Sequence, residues 1–249
     1  MILRGHTEAD EPRVEIENLG LFQQQRWLFR NMTLSIRAGS FVAIVGPSGV
    51  GKTSLLACLA GMRQPTEGSV HYQRREEMWH PSQYRRKLGI VFQHLRLAEN
   101  SPVLTNVLCG RLQQFHFLQT LFGFPSRLRG EASGYLHDLG LLEYAHIPVN
   151  QISGGEQQRV AIARALFQDP TVYLADEPVS HLDTYLTGRV LGLLKLQAMD
   201  RGRIIFCVLH DASLVNRFAD YSLSLNREEP TEWRIRAVHP SLAKSLPSA

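Results

Sequence analysis

The stretch FVAIVGPSGVGKTSLLACLAGM, residues 41–62, runs from a continuous apolar segment through a glycine-rich turn into a helical apolar pattern. FVAIV shows no polar alternation, so it predicts a strand covered on both faces, as in parallel sheets flanked by helices. GPSGVGKT then matches G-x-x-x-x-G-K-[ST] in full, between that strand and the helical SLLACLAGM. Gly46, Gly49 and Gly51 let the backbone curl until its N–H groups face phosphate oxygens, with Pro47, Ser48 and Val50 completing the loop. The helix that follows, carrying Thr53 and Ser54 in its first turn, adds its positive end. In such a loop Lys52 reaches the β- and γ-phosphates of a nucleotide, and the Thr53 hydroxyl meets magnesium.

Working outward, VYLA (172–175) and IIFCVL (204–209) are two more continuous apolar runs, and helical patterns lie between them. Strand and helix in alternation predict an α/β fold with a largely parallel sheet. VEIENL and MTLSIRAGS, with Gly39 at the bend, read as further strands toward the N-terminus. From about Gln93 to Gln151 the pattern changes: VLTNVLCGRL and GYLHDLGLLEY have helical spacing and no buried strand intervenes, which predicts a helical insertion over about 94–152. Within it FHFLQTLFGF, Phe115 to Phe124, is rich in aromatics and is either that insertion's own core or a surface for a partner's helix. The expected organisation is a polar tail over 1–13, one domain over 14–227, and a weakly structured tail over 228–249.

A length of 249 residues with 44% hydrophobic and 20% charged side chains suits a globular domain able to bury a core. No run approaches the ~18 apolar residues of a membrane helix, and the polar start MILRGHTEADEPR lacks the apolar centre of a secretory signal, so residence in the cytoplasm is expected. Cys58, Cys109 and Cys207 are odd in number and set among apolar neighbours, which predicts buried free thiols. A net charge of +4 mildly favours anionic partners. The densest basic patch, Tyr84-Arg85-Arg86-Lys87, reads as a solvated face, and no nucleic-acid partner is expected.

Two further stretches carry chemistry. In TVYLADEP, Asp176 stands at the C-terminal end of an apolar strand, where ligands gather in parallel sheets, and suits a magnesium ion held directly or through water. Glu177 is the candidate general base for an attacking water. In ISGGEQQR, residues 152–159, Ser153 is a candidate N-cap and Glu156, three residues on, completes a capping box. That box leaves Gly154 and Gly155 unexplained, because a glycine inside a helix costs roughly 0.5–1 kcal/mol relative to alanine. Something is expected to approach their backbone closely.

These motifs, in this order, resemble the ATP-binding cassette ATPases that drive membrane transport, over roughly residues 14–226. The resemblance implies the P-loop NTPase fold of that type: a largely parallel sheet, an antiparallel N-terminal β region and an inserted helical subdomain. It implies that ISGGEQQR is the signature motif, Gln93 in GIVFQH the Q-loop glutamine that touches magnesium or water, Ser180-His181-Leu182-Asp183 the D-loop, and His210 in VLHD the switch histidine. Ser153, Gly154, Gly155, Gln157 and Asp183 would then serve ATP held by a second copy in a head-to-tail pair. Phe22, or second to it Trp27, would stack on adenine. One P-loop and no membrane span imply separate permease subunits, an indirect periplasmic solute-binding partner, and a peripheral place on the cytoplasmic face of the inner membrane. Among bacterial importers the blocks VFQHLRLAENSPVLTNVLCGRL and DLGLLEYAHIPVNQISGGEQQR are similar to those of the phosphonate importers. Glu156 in place of the usual glutamine and Ser180-His181 in place of a small pair are departures from the family pattern.

Overall fold

The computed structural model describes residues 11–74, 77–79, 81–91, 96–114 and 124–239. In chain order the strands are β1 (Pro12–Gln23), β2 (Arg26–Arg37), β3 (Phe41–Val45), β4 (Glu67–Arg74), β5 (Glu77–Met78), β6 (Leu88–Val91), β7 (Val172–Ala175), β8 (Ile204–Val208), β9 (Tyr221–Ser224) and β10 (Arg234–Ala237). The helices are α1 (Lys52–Leu59), α2 (Pro81–Arg85), α3 (Val103–Leu108), α4 (Ser126–Asp138), α5 (Gly154–Gln168), α6 (Thr184–Arg201) and α7 (Ala212–Phe218). The chain divides into two compact units: Met1–Leu88 with Thr171–Asp176 and Lys195–Ala249, and Gly89–Pro170 with Glu177–Leu194. No helix among the described residues is long and apolar enough to cross a membrane.

In the first unit β1 and β2 form an antiparallel hairpin, turned at Gln24 and Gln25, both at positive φ. Val14 opposite Ile36 and Ile16 opposite Leu34 bury one face of it. β4 pairs with the other edge of β1, giving the order β2-β1-β4-β5. The second sheet has the order β10-β9-β3-β8-β7-β6, with β3 parallel to both β8 and β9, and β7 parallel to β8. Every residue of β7 and β8, and all of β3 but Val45, is buried, which is why these three were legible as unbroken apolar runs. The Asp220 carboxylate fixes the start of β3 by accepting the Phe41 amide at 2.8 Å while it pairs with Lys195.

Three expectations are corrected here. The N-terminal tail is shorter than expected, since β1 starts at Pro12. The tail beyond 228 contains β10, antiparallel to β9 with Arg234 opposite Ser224 and Ala237 opposite Tyr221. Arg234 and Arg236 are exposed while Ile235 and Ala237 are half-buried, so this four-residue strand alternates with period two, a signal that the expectation of a weakly structured tail passed over. Cys58 and Cys207 are buried free thiols, but Cys109, the first residue of the 3₁₀ turn over Cys109–Gln114 that follows α3, is exposed.

The second unit is helical around α3, α4 and α5. Val103, Val107, Leu136, Val160, Ala163 and Phe167 are among its buried apolar residues. Asn106 is buried with them and satisfied completely: its amide accepts from the Ala98 N–H at 2.8 Å and donates to the carbonyls of Ala98, Ser101 and Pro102. Arg111 lies over the Phe167 ring, 4.3 Å from its centroid, and pairs with Glu131 at 2.6 Å, which ties the 3₁₀ turn to α4 and α5. The aromatic stretch Phe115 to Phe124 lies outside the described residues except for Phe124.

Candidate functional site

In the first unit the turn between β3 and α1 has the conformation its glycines allow. Gly46, Gly49 and Gly51 stand at φ 144°, 71° and 116°. A Cβ at Gly46 would meet the Leu225 carbonyl at 3.0 Å, and one at Gly51 would meet Leu28 Cβ at 3.0 Å, so both positions exclude side chains twice over. Lys52 is only 6% exposed and folds back along the loop, its ammonium donating to the carbonyls of Gly46 at 2.8 Å and Pro47 at 3.0 Å. Arg26 braces the outside by donating to the Gly49 carbonyl at 2.8 Å. Pro47, Ser48 and Gly49 are exposed while Val50 is buried beneath them. The N-cap of α1 is Gly51, which has no side chain with which to cap the helix, so the loop's N–H groups are suited to an anion's oxygens.

Asp176 follows β7 directly and is 4% exposed, and Thr53 presents an exposed hydroxyl from the first turn of α1. Among the described residues no three His, Cys, Asp or Glu side chains gather as a metal cage. A hydroxyl and a carboxylate are donors of the kind that suit magnesium, an ion usually coordinated mostly by phosphate and water. His210 is exposed just past β8, next to Asp211, whose carboxylate caps α7 by accepting the Ser213 amide at 2.7 Å. Phe22, at the end of β1, is 47% exposed and meets Trp27 edge-on with ring centroids 5.3 Å apart. Trp27 is engaged from the other side by Arg30, 4.4 Å above its ring and doubly hydrogen-bonded to Glu67. Of the two aromatics, Phe22 is the one with a surface to offer.

In the second unit α5 begins as its sequence requires. Ser153 is the N-cap, Glu156 N–H donates to Ser153 Oγ at 3.4 Å, and Glu156 Oε2 accepts the Ser153 amide at 2.7 Å and its hydroxyl at 2.8 Å. These bonds, together with Tyr144 and Arg159, hold the Glu156 carboxyl below its usual range against the opposing effect of burial. Neither Gly154 nor Gly155 has a positive φ. A Cβ on Gly154 would find no described atom within 4 Å, and one on Gly155 would make only an ordinary contact, 3.5 Å from the His181 carbonyl. Among the described residues the glycine pair therefore has no steric reason. Gln157 donates to the carbonyls of Val149 and Ile152 at 3.1 and 3.2 Å, and Asp183 accepts the Leu186 amide at 2.8 Å at the start of α6.

Glu177 stands at φ 49°, in the left-handed region that residues with a Cβ avoid. Its carbonyl is held by the Ser180 amide at 3.3 Å, the Ser180 hydroxyl at 3.1 Å and the Gln158 side-chain amide at 3.0 Å. Sequence reasoning missed Gln158 and Arg26; a polar residue on the buried face of α5 was the available signal for the first, and none marked the second. Gln93 lies outside the described residues.

The family model described as "ABC transporter" matches residues 29–180. The phosphonates import ATP-binding protein of Bdellovibrio bacteriovorus is 36% identical over 228 residues, 89% of this chain and 87% of that protein. The phosphite import ATP-binding protein of Stutzerimonas stutzeri is 40% identical over 198 residues, 79% of this chain and 72% of its own. Among solved structures, the dimeric post-hydrolysis state of an ATP-binding cassette bound to ADP and Pi is similar with a TM-score of 0.77 and 30% identity, covering 91% of this chain and 99% of that one.

Proposed function

The chain belongs to the ABC transporter family, and from that premise we propose that it is the ATP-hydrolysing subunit of a phosphonate importer, acting with magnesium as a head-to-tail pair beneath separate permease subunits. In this reading the loop N–H groups from Gly46 to Thr53 and the Lys52 ammonium hold the triphosphate, and Phe22 stacks on adenine. Thr53, Asp176 and Gln93 hold the metal. Bound there, magnesium would neutralise phosphate charge as the terminal phosphoryl group departs. Glu177 accepts the proton of the attacking water, and His210 steadies the group being transferred. Ser153, Gly154, Gly155, Gln157 and Asp183 face the nucleotide of the second copy.

The observation that carries this reading is the glycine pair at the head of α5. Nothing among the described residues needs residues 154 and 155 to be glycine, which is also so at Gly130, Gly134, Gly188 and Gly192, but this pair stands at the capped start of a helix, where a surface from outside the chain can reach the backbone N–H groups. The dimeric state of the solved cassette, and its ADP and Pi, support a nucleotide as that surface. Phosphonate as cargo is supported by relatives in Bdellovibrio and Nostoc named for phosphonate import, and the phosphite-import relative puts phosphite beside it. The peripheral place at the inner membrane follows from docking on separate permease subunits, for which the reading offers residues 115–124 unless they form the insertion's own core.

Two measurements test it. Glu177→Gln keeps the shape of the side chain but cannot take a proton. It should bind ATP, accumulate as a dimer and turn over about 100-fold or more slowly; turnover near the parent rate removes Glu177 from the role of base. In vesicles holding the permease and its binding protein, ATPase activity should rise with an alkylphosphonate. Stimulation by phosphite alone moves the cargo to that anion, and stimulation by an amino acid or sugar overturns the substrate class.

A further inference from the structure

The segment bearing Glu177 lies along the first turns of α5 and meets it at two places. Gly155 faces the His181 carbonyl, and one turn later Gln158, 9% exposed, donates from Nε2 to the Glu177 carbonyl at 3.0 Å. A polar side chain on the buried face of a helix is costly unless its hydrogen bonds are made, so this bond is the reason glutamine is tolerated at 158. The other two donors to the same carbonyl, the Ser180 amide and hydroxyl, come from the loop that follows Glu177. Of the three, only Gln158 comes from α5. Glu177 is at φ 49°, so its backbone does not rest in its preferred well and needs these bonds to keep it in place. The direction of its side chain follows that of the peptide they hold.

We propose that Gln158 is a positioning residue which couples the aim of the Glu177 carboxylate to the seating of α5, so that the helix start serving the second copy's ATP governs the base acting on its own. The inference rests on the reading of Glu177 as the base and of residues 153–155 as the site facing the second copy. Physically it is a short lever. An anion drawing on the N–H groups at the head of α5 shifts the helix by a small amount, and Gln158, one turn along, carries that shift to the Glu177 peptide without an intervening flexible segment. Positional errors of about 1 Å in a reacting group can cost on the order of 100-fold in rate, so a small displacement suffices.

The test uses the full chain with Gln158→Met, which keeps length and loses the donor, and Gln158→His, whose ring N–H restores one. In Gln158→Met, kcat should fall about tenfold while KM for ATP stays within about twofold, the pattern of a group acting only in the transition state. Gln158→His should recover a substantial part of kcat. In a Glu177→Gln background, Gln158→Met should lower the residual turnover no further, because the residue it acts through is already disabled. The inference is overturned by a kcat within twofold of the parent, by an equal further loss in the Glu177→Gln background, or by variants that melt early yet retain parental kcat per folded molecule. A Glu177→Gln variant with parental turnover would instead remove the base assignment on which the inference stands, so the two failures are distinguishable.

Discussion

Replacing Gly154 by alanine separates what the signature loop does for its own subunit from what it does for another. Gly154 is the first residue of α5, lies outside the left-handed region and has no described atom within 4 Å of the place a Cβ would take. In the nucleotide-free subunit the substitution therefore creates no clash and relieves only the entropy cost of a helical glycine, about 0.5–1 kcal/mol. In a chain of this size about 1 kcal/mol corresponds to a shift of ~2–4 °C in Tm, so the variant should melt about 1–4 °C above the parent by scanning calorimetry. On the proposed reading the same methyl would stand over the backbone N–H groups that meet the second copy's γ-phosphate. Holding an oxygen about 1 Å further away weakens those charge-assisted bonds, each worth roughly 1.5–3 kcal/mol, so ATP-driven dimer formation should weaken about tenfold or more. Dimerisation is read by light scattering in the Glu177→Gln background, where hydrolysis does not drain the complex. A Tm several degrees below the parent would mean that the glycine is needed for packing within the chain. Unchanged dimerisation would mean that nothing docks at Gly154.

Three further outcomes are expected. Lys52→Ala should weaken ATP binding roughly 10- to 100-fold for each phosphate hydrogen bond lost, measured by titration calorimetry; parental affinity would contradict the phosphate-loop reading. Phe22→Ala should raise KM for ATP about 5- to 100-fold with little change in kcat, as loss of one stacked base implies, whereas Trp27→Ala should lower Tm, because Arg30 loses the ring it rests on. Glu156 has its folded pKa depressed by the Ser153 bonds, so its stabilising effect is present above the ordinary carboxylate range and is lost as pH falls through the lower folded value. The Tm difference between the parent and Glu156→Gln should accordingly be largest near neutrality and shrink below about pH 4.3; a difference constant from pH 3 to 7 would refute this.

The sheet's centre was legible because β3, β7 and β8 are covered on both faces and so read as unbroken apolar runs. The head of α5 was legible because Ser153 and Glu156 form their box within four residues, from local chemistry alone. What escaped has the opposite character. β10 has four residues, in which exposed Arg234 and Arg236 alternate with half-buried Ile235 and Ala237, so its period-two signal is too short to stand out until its pairing with β9 is seen. β4 sets Val70 and Tyr72 among polar Ser69, His71 and Gln73 and owes its place to pairing with β1, from Gly20 opposite Glu67 to Pro12 opposite Arg74. In the site, glycines and the charged residues of the two motifs stand out by type, but Gln158 acts through an amide onto a backbone carbonyl 19 positions away. Only the fold brings those atoms together.

The two helix starts assigned to phosphate differ in a way that orders events. α1 begins at Gly51, which offers no side-chain acceptor, and the loop before it curls at three positive-φ glycines, so its N–H groups gain a full set of hydrogen bonds when an anion arrives. α5 begins with its capping box made: Ser153 Oγ accepts from Glu156 N–H, and its hydroxyl donates to Glu156 Oε2, so of the groups at its head the Ser153 hydroxyl is already engaged. For Ser153 to donate to a phosphate it must leave a carboxylate, and that carboxylate stays nearby with a charge that opposes the newcomer. Binding at α1 thus keeps its whole gain, while docking at α5 gives back part of the backbone N–H gain by breaking the bond from the Ser153 hydroxyl to Glu156. Nucleotide should fill each subunit's own loop first and pair the subunits second. The pairing step, with its gain reduced in this way, is then the more readily reversed once the γ-phosphate is cleaved, which a transporter that must open and close in every cycle requires.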